Sequence, residues 1–536
     1  MWVAAAIAIA VVVFALRFGA PVAGGSDSYG YVSQAHLWAT GRMSDELRLA
    51  SELVPAVNAR VLVPLAYHLA RDQKSMVPSY ASGLPLTMAV FERLAGPRAV
   101  FWVVPLLGGV AVWSTYLLGR RAGGPLAGAI AATLLAASPA FLFQTILAPM
   151  SDLPAAAWWT LTLALLFIDR AWAAPAAALA VALAVLTRPN LVPVAVVPLL
   201  LSTWRAIDEG RSGGGEDGRR RGRRDLVFLA GGVAVASLAV AAINTRHFGS
   251  PLSSGYDVRG LFALEHARPN LVRYPILLTE MHTPLVWLAA LAPWLVGRRA
   301  ALRRAQGASA ALPPRPESAL ATVGAAALVV AVFACYLFYP GFDGHQTLRF
   351  LVPGLPALMV LLGAAIAIVT ARLPAMWRAV ALVGIVGLIV ARGITFNGVP
   401  WFIYSSVERR YEVIGDAIAR RLPANAVILA MQHSGSVRYY AGREIVRWDQ
   451  IPEHRLDRLM KRLRRLGRPA YLLLDDWEVP EFKQRFENRS VLGALDWPPV
   501  LELDHVHVRV WDLTDRARRQ PQRTRTTEVL PWLYPR

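Results

Sequence analysis

The chain has 536 residues, of which 55% are hydrophobic and 17% charged, with 56 Lys plus Arg against 36 Asp plus Glu. Soluble domains carry roughly 25% charge, so a soluble enzyme and a disordered chain are excluded; a single cysteine, Cys335, excludes a disulfide scaffold. The apolar residues fall in runs of about 20, the length that crosses a bilayer core about 30 Å thick, and the chain reads as a mostly α polytopic membrane protein. Its excess of arginine lies in short loops between those runs, which points to membrane topology and to no nucleic-acid partner.

In chain order the expected spans are 1–19, 99–119, 123–143, 153–169, 172–187, 190–204, 226–243, 283–297, 319–339, 350–370 and 378–395, eleven in all. With the N-terminus in the cytoplasm, alternation puts Arg120–Arg121, Arg170, the 205–225 and 297–318 loops and Arg372–Arg378 inside. The opposite loops are poorer in arginine per residue, as the positive-inside bias requires. A cleaved signal peptide is the rival reading of residues 1–24, but the opening Met-Trp-Val-Ala lacks a positive n-region.

Two outer stretches are long enough to fold. Residues 25–98 contain amphipathic pieces at Tyr29–Ala39 and Ala59–Leu69, suited to helices lying at the interface, and Pro/Gly turns at Val77–Pro85. Residues 396–515 have a soluble composition. A helix at 404–422, a strand at 425–431, a helix at 452–466 and strands at 469–475 and 501–511 predict a small extracytoplasmic α/β domain. The Arg-rich 516–536 reads as a disordered tail. The domain plan is therefore 1–395, including the outer loop 25–98, then 396–515, then 516–536.

Two acids stand at the outer ends of spans, where an ionisable residue is the first candidate for function. Asp27 follows the first span in Gly-Ser-Asp-Ser-Tyr-Gly-Tyr, sharing a helical face with Tyr31, and Asp152 opens the fourth span in Ser-Asp-Leu-Pro. Either acid can also serve as a helix N-cap. Two carboxylates converging on one polar site can divide the work of base and positioning group.

Other strings carry less. His433 and Gly435 in Met-Gln-His-Ser-Gly follow a strand without a dinucleotide fingerprint. His505 and His507 alternate on one strand without a third metal ligand, Asp475-Asp476 reads as a turn, and the Trp158-Trp159 pair as an interface anchor or packing.

Taken together, five strings resemble the motifs of the GT-C glycosyltransferases: Asp27-Ser-Tyr-Gly-Tyr31 through Gly41, Tyr80-Ala-Ser-Gly-Leu-Pro85, Ser151-Asp152-Leu-Pro154, Thr187-Arg188-Pro189, and His345 through Arg349-Phe350 to Pro353 and Pro356. The resemblance covers about residues 1–400 and is nearest to the protein O-mannosyltransferase-like and lipid A aminoarabinose transferase-like branch. It implies a transferase of the cell membrane that moves a sugar from a polyprenyl-phosphate-linked donor to a hydroxyl of a glycan, lipid or protein on the extracytoplasmic face. Asp27 would be the general base, assisted by Asp152, with inversion at the anomeric carbon.

The leaving phosphate needs cations, and arginine binds two oxygens at once. Arg349 is the first choice, with His345 one helical turn away; Arg60 and Lys74 are the second, Tyr31 and Tyr80 complete the substrate-binding set, and Arg188 is read as a span-end anchor. A divalent cation is left open, with Asp27 and Asp152 as its ligands if one binds. A lipid-sugar flippase or transporter and a non-catalytic membrane scaffold are the alternatives. Transporters tend to show internal repeats and broken helices with polar groups at mid-membrane, whereas here the acids and arginines gather at span ends, and a scaffold has no need for Asp27 and Asp152 to converge.

Overall fold

The structure is a computed structural model describing all residues except 55–56, 148, 212–214, 257, 306–315, 343, 396–400, 504–506, 516–521 and 524–536. A helix or helical run occupies each of the eleven predicted spans. Among the described residues, five are long and apolar enough to cross a membrane: Pro97–Gly123, Pro189–Ile207, Arg219–Phe248, Glu317–Leu337 and Gly344–Thr370. Two bent pairs raise this to seven, and Trp2–Phe18, Ala173–Thr187 and Ala375–Ile389 are shorter apolar helices.

Each bend has a proline at its start. Pro139 follows Ser138 where Pro125–Ala137 turns by 58° into Pro139–Ile146, and Pro284 follows Thr283 where Leu264–His282 turns by 110° into Pro284–Arg299. Proline has no N–H for the helix ladder and restricts the residue before it, so the helix stops there. The bends are tied together by a buried hydrogen bond of 2.7 Å between the Ser138 hydroxyl and His282 Nε2.

The amphipathic pieces of the outer loop fold partly otherwise than expected. The helix Asp27–Ala39 buries eight of its 13 residues in protein, and 59–69 divides into a 3-10 turn, Ala59–Leu62, and a strand, Tyr67–Leu69. That strand pairs antiparallel with Ser75–Pro78, which also pairs with Asp45–Glu46, in a three-stranded sheet absent from the sequence reading.

The C-terminal region is α/β as expected. Its six-stranded sheet runs 444–446, 427–429, 470–475, 508–512, 501–503, 522–523. The strand Val427–Leu429 lies parallel to Glu444–Val446 and Ala470–Asp475, and Val508–Asp512 returns antiparallel. The stretch expected as one strand over 501–511 is a hairpin, with His507 at φ 54 in its turn; His505 lies outside the described residues. The tail 516–536 also lies outside them, apart from 522–523, which pair with 501–502.

Alternation along the central strands sends side chains to opposite faces. Ile428, Tyr471 and Leu473 pack beneath Ile414 and Ile418. Val427, Leu429, Leu472 and Leu474 share the other core with Leu47, Leu49, Leu53 and Val61 of the first outer loop. Loop and C-terminal region thus bury one common core. A fork of two charge-assisted bonds from Arg468 to Glu52, 2.6 and 2.7 Å, and a bond of 3.0 Å from Arg438 to Asp45 hold its edge.

Candidate active site

Asp27 and Asp152 each stand first in a helix, Asp27–Ala39 and Asp152–Leu166, where the helix dipole favours negative charge. Neither carboxylate caps its helix, contrary to the simplest reading of the sequence: the cap positions are Ser26 and Ser151, and no side-chain cap bond forms at either. The acids are left to face other partners. The two helix starts are stitched together by the Tyr31 hydroxyl donating to Ser151 Oγ at 2.8 Å and Ser28 Oγ donating to the Pro149 carbonyl at 3.1 Å.

Two arginines complete the cluster. Arg349 Nη2 donates to Asp27 Oδ2 at 2.9 Å, and its Nε stands 3.4 Å from Asp152 Oδ2. Arg188 Nη2 donates to Asp152 Oδ1 at 2.6 Å, its Nε to Ser151 Oγ at 3.2 Å, and its Nη1 to the Tyr336 hydroxyl. Asp152 is fully buried and balanced by both guanidiniums, whereas the Asp27 carboxylate keeps 26% of its surface exposed. The buried acid therefore holds both arginines, and the partly exposed one faces the cavity.

Asp27, Tyr31, Tyr80, Arg188 and Arg349 line one cavity of about 600 Å³, with Asp152 directly behind the wall. Ser26 Oγ hydrogen-bonds the Tyr80 hydroxyl at 2.7 Å, and the Tyr31 and Tyr80 rings pack 4.9 Å apart. Burial, then the Asp27 charge, push both phenols well above their usual range, so they remain neutral hydrogen-bonding groups. Away from this charged corner the wall is mixed: Val240, Ile243, Phe248, Leu261 and Phe262 stand among Asn190, Asn244, His247 and Ser254.

Three candidates do not reach the cavity. Arg60 is exposed on its 3-10 turn, Lys74 is exposed in the turn before Ser75–Pro78, and His345 pairs with Glu280 at 2.9 Å. Arg188 corrects the reading in the other direction: it is a buried partner of Asp152, not an anchor at a span end. Its signal was present in Pro189, which ends Ala173–Thr187 and leaves Arg188 in a non-helical conformation (φ −141°, ψ 85°) at the break between the two helical runs.

Two acids already matched by two guanidiniums do not form a ready cation site. A divalent ion at Asp152 would stand beside two positive charges, and among the described residues no three His, Cys, Asp or Glu side chains cluster as a ligand set. The donor set fits anion binding better than a metal.

Comparison with known proteins agrees with this architecture. Residues 55–187 match the family model for the N-terminal part of oligosaccharyl transferase STT3. ArnT from Cupriavidus metallidurans in the apo state superposes with a TM-score of 0.55 at 15% identity, over 97% of this chain and 99% of that one. ArnT bound to undecaprenyl phosphate gives 0.53 at 15%, over 96% and 98%. The apo oligosaccharyltransferase of Archaeoglobus fulgidus gives 0.54 at 12%, over 93% of this chain and 72% of that one. No curated protein matches the sequence. The chain shares its fold with ArnT and the Archaeoglobus fulgidus oligosaccharyltransferase, and the GT-C resemblance carried by the five sequence strings is borne out at the level of fold.

Proposed function

We propose that the protein is a GT-C glycosyltransferase that moves a sugar from a polyprenyl-phosphate-linked donor to an acceptor hydroxyl on the extracytoplasmic face, with Asp27 as general base. One observation carries this reading: a single guanidinium, Arg349, joins Asp27 to Asp152 at the charged corner of a cavity whose further wall includes Val240, Ile243, Phe248, Leu261 and Phe262. Such a cavity suits a ligand with a phosphate head and a hydrocarbon tail, and one structural relative was crystallised with undecaprenyl phosphate.

In the proposed reaction the acceptor oxygen attacks the anomeric carbon opposite the lipid phosphate. The new C–O bond forms as the carbon–phosphate oxygen bond breaks, the configuration inverts, the hydroxyl proton passes to Asp27 and the lipid phosphate departs as an anion. General base assistance of this kind contributes typically 10²–10⁴-fold.

Arg349 has two duties that follow one another. Without donor it neutralises Asp27; when the phosphate enters, its fork can bind phosphate oxygens, which frees the carboxylate to take a proton. Arg188, held by Asp152 and Tyr336, stays fixed behind it. Convergence of these four charges on one cavity favours catalysis over a scaffold, which has no use for it. The deciding experiment is transfer in vitro from a panel of polyprenyl-phosphate sugars, with wild type and Asp27→Asn compared; equal rates for the two would overturn the reading.

A further inference from the structure

The turn that carries Asp27 is gripped from the opposite end of the chain. Ala23 donates its N–H to the Tyr440 hydroxyl at 2.7 Å. Tyr411, 2% exposed, packs on Ala20 and Val22, and its ring lies so near Gly24 that a Cβ there would come within 2.2 Å of Cδ2. Gly25 adopts φ +55, a region costly for other residues, and a methyl there would stand 3.4 Å from both the Tyr411 hydroxyl and Gln432 Nε2. Asp27 follows two residues later.

The Met431-Gln432-His433-Ser434-Gly435 string, which fits no cofactor motif, is the other half of this grip. Gln432 Nε2 donates to the Tyr411 hydroxyl at 2.7 Å, and Ser434 Oγ accepts the Leu65 N–H at 3.1 Å. Gly435 admits the Tyr29 ring to a place where a Cβ would meet it at 2.1 Å. Tyr411 is itself immobilised from behind: Arg410 Nη2 donates to its hydroxyl at 2.9 Å, and His433 packs 4.6 Å from its ring while hydrogen-bonding Asp475 at 3.0 Å. Neither Tyr411 nor Gln432 lines the cavity.

We propose that Tyr411 and Gln432 are positioning residues, through which the C-terminal domain sets the turn over residues 22–26 and so aims the Asp27 carboxylate. The proposal rests on Asp27 acting as the base. A base must hold its proton-accepting atom within hydrogen-bond reach of the acceptor, and small displacements of reacting groups are costly. A turn with two adjacent glycines cannot hold that geometry unaided, since glycine leaves the backbone free.

The test combines two measurements on the full-length protein in wild type, Tyr411→Phe and Gln432→Ala. Amide hydrogen exchange should quicken in both variants over residues 22–30 and stay unchanged in the helix Pro97–Gly123. Sugar transfer should lose about tenfold in kcat with the donor KM within about twofold. Unchanged exchange at 22–30 overturns the grip, and faster exchange with unchanged kcat overturns the positioning role. If the wild type transfers no sugar, the enzymatic assignment fails by itself and with it the aim of Asp27, while exchange still decides whether the grip exists.

Discussion

Arg349 and Asp27 lie 322 positions apart and meet at 2.9 Å, with the same guanidinium 3.4 Å from Asp152. Two helix starts and the 3-10 run Gly344–Gly354 are thereby locked into one electrostatic unit. The acid exposed to the cavity is the one paired by a single arginine, and the buried acid is paired by two.

Replacing Asp27 by Asn removes the proton acceptor while preserving size. Transfer should fall by about 10²–10⁴-fold, while binding of polyprenyl phosphate, measured by thermal shift, persists. Retained turnover in this variant would remove Asp27 from the chemistry.

Replacing Arg349 by Lys keeps the charge and loses the fork. A lysine cannot meet Asp27, Asp152 and a phosphate with the same planar geometry, so kcat/KM for the donor should drop by roughly tenfold or more, in line with the 1.5–3 kcal/mol of a charged hydrogen bond. A variant as efficient as wild type would show that point charge alone suffices.

Arg188→Met takes the 2.6 Å partner from a fully buried carboxylate. Breaking a buried pair on one side costs about 3–5 kcal/mol, which should lower Tm and yield. Adding Asp152→Asn to the same chain should recover part of that loss, because Arg349, left as the one cation between two carboxylates, then has only Asp27 to balance. An additive double variant would contradict this pairing.

Ile243 lies on the further wall of the cavity. Ile243→Trp should raise KM about tenfold for donors with long prenyl chains and much less for a donor truncated to two isoprene units, since only the tail needs that space. An equal effect on both donors would place the tail elsewhere.

Glu478 supplies a pH prediction. Burial pushes its carboxyl up to about 7, even though it accepts bonds from the Asp475 and Gln432 N–H groups and the Trp448 indole. An unfolded glutamate ionises near 4.3, so between roughly pH 4.3 and 7 the folded chain binds more protons than the unfolded one. Stability is therefore full below that window, declines as pH rises through it, and levels off above. The Tm of Glu478→Gln relative to wild type should gain a few degrees between about pH 5 and about pH 8; a constant difference would reject the buried proton.

Much of the site was legible because its acids and Arg349 carry charge at the ends of apolar runs, where composition alone makes them conspicuous. Arg188 escaped because a span-end arginine has an ordinary explanation in lipid headgroups, and only the path of the chain after Thr187 reveals Asp152 beside it. The three-stranded sheet of the outer loop was illegible for a different reason. Its strands have two to four residues, too few for a period of two to register, and they persist because Leu47, Leu49 and Met76 are covered by the C-terminal domain. His433 and Asp475 likewise look ordinary singly and acquire meaning only as a buried pair.

The fork between Glu52 and Arg468 spans 416 positions, and this has a consequence for biogenesis. At about 5–20 residues per second on the ribosome, Glu52 waits on the order of half a minute for its counterpart. During that interval the greasy underside of the early segment has nothing to cover it, so nascent chains stalled before Arg468 should be preferred clients of membrane chaperones and proteases.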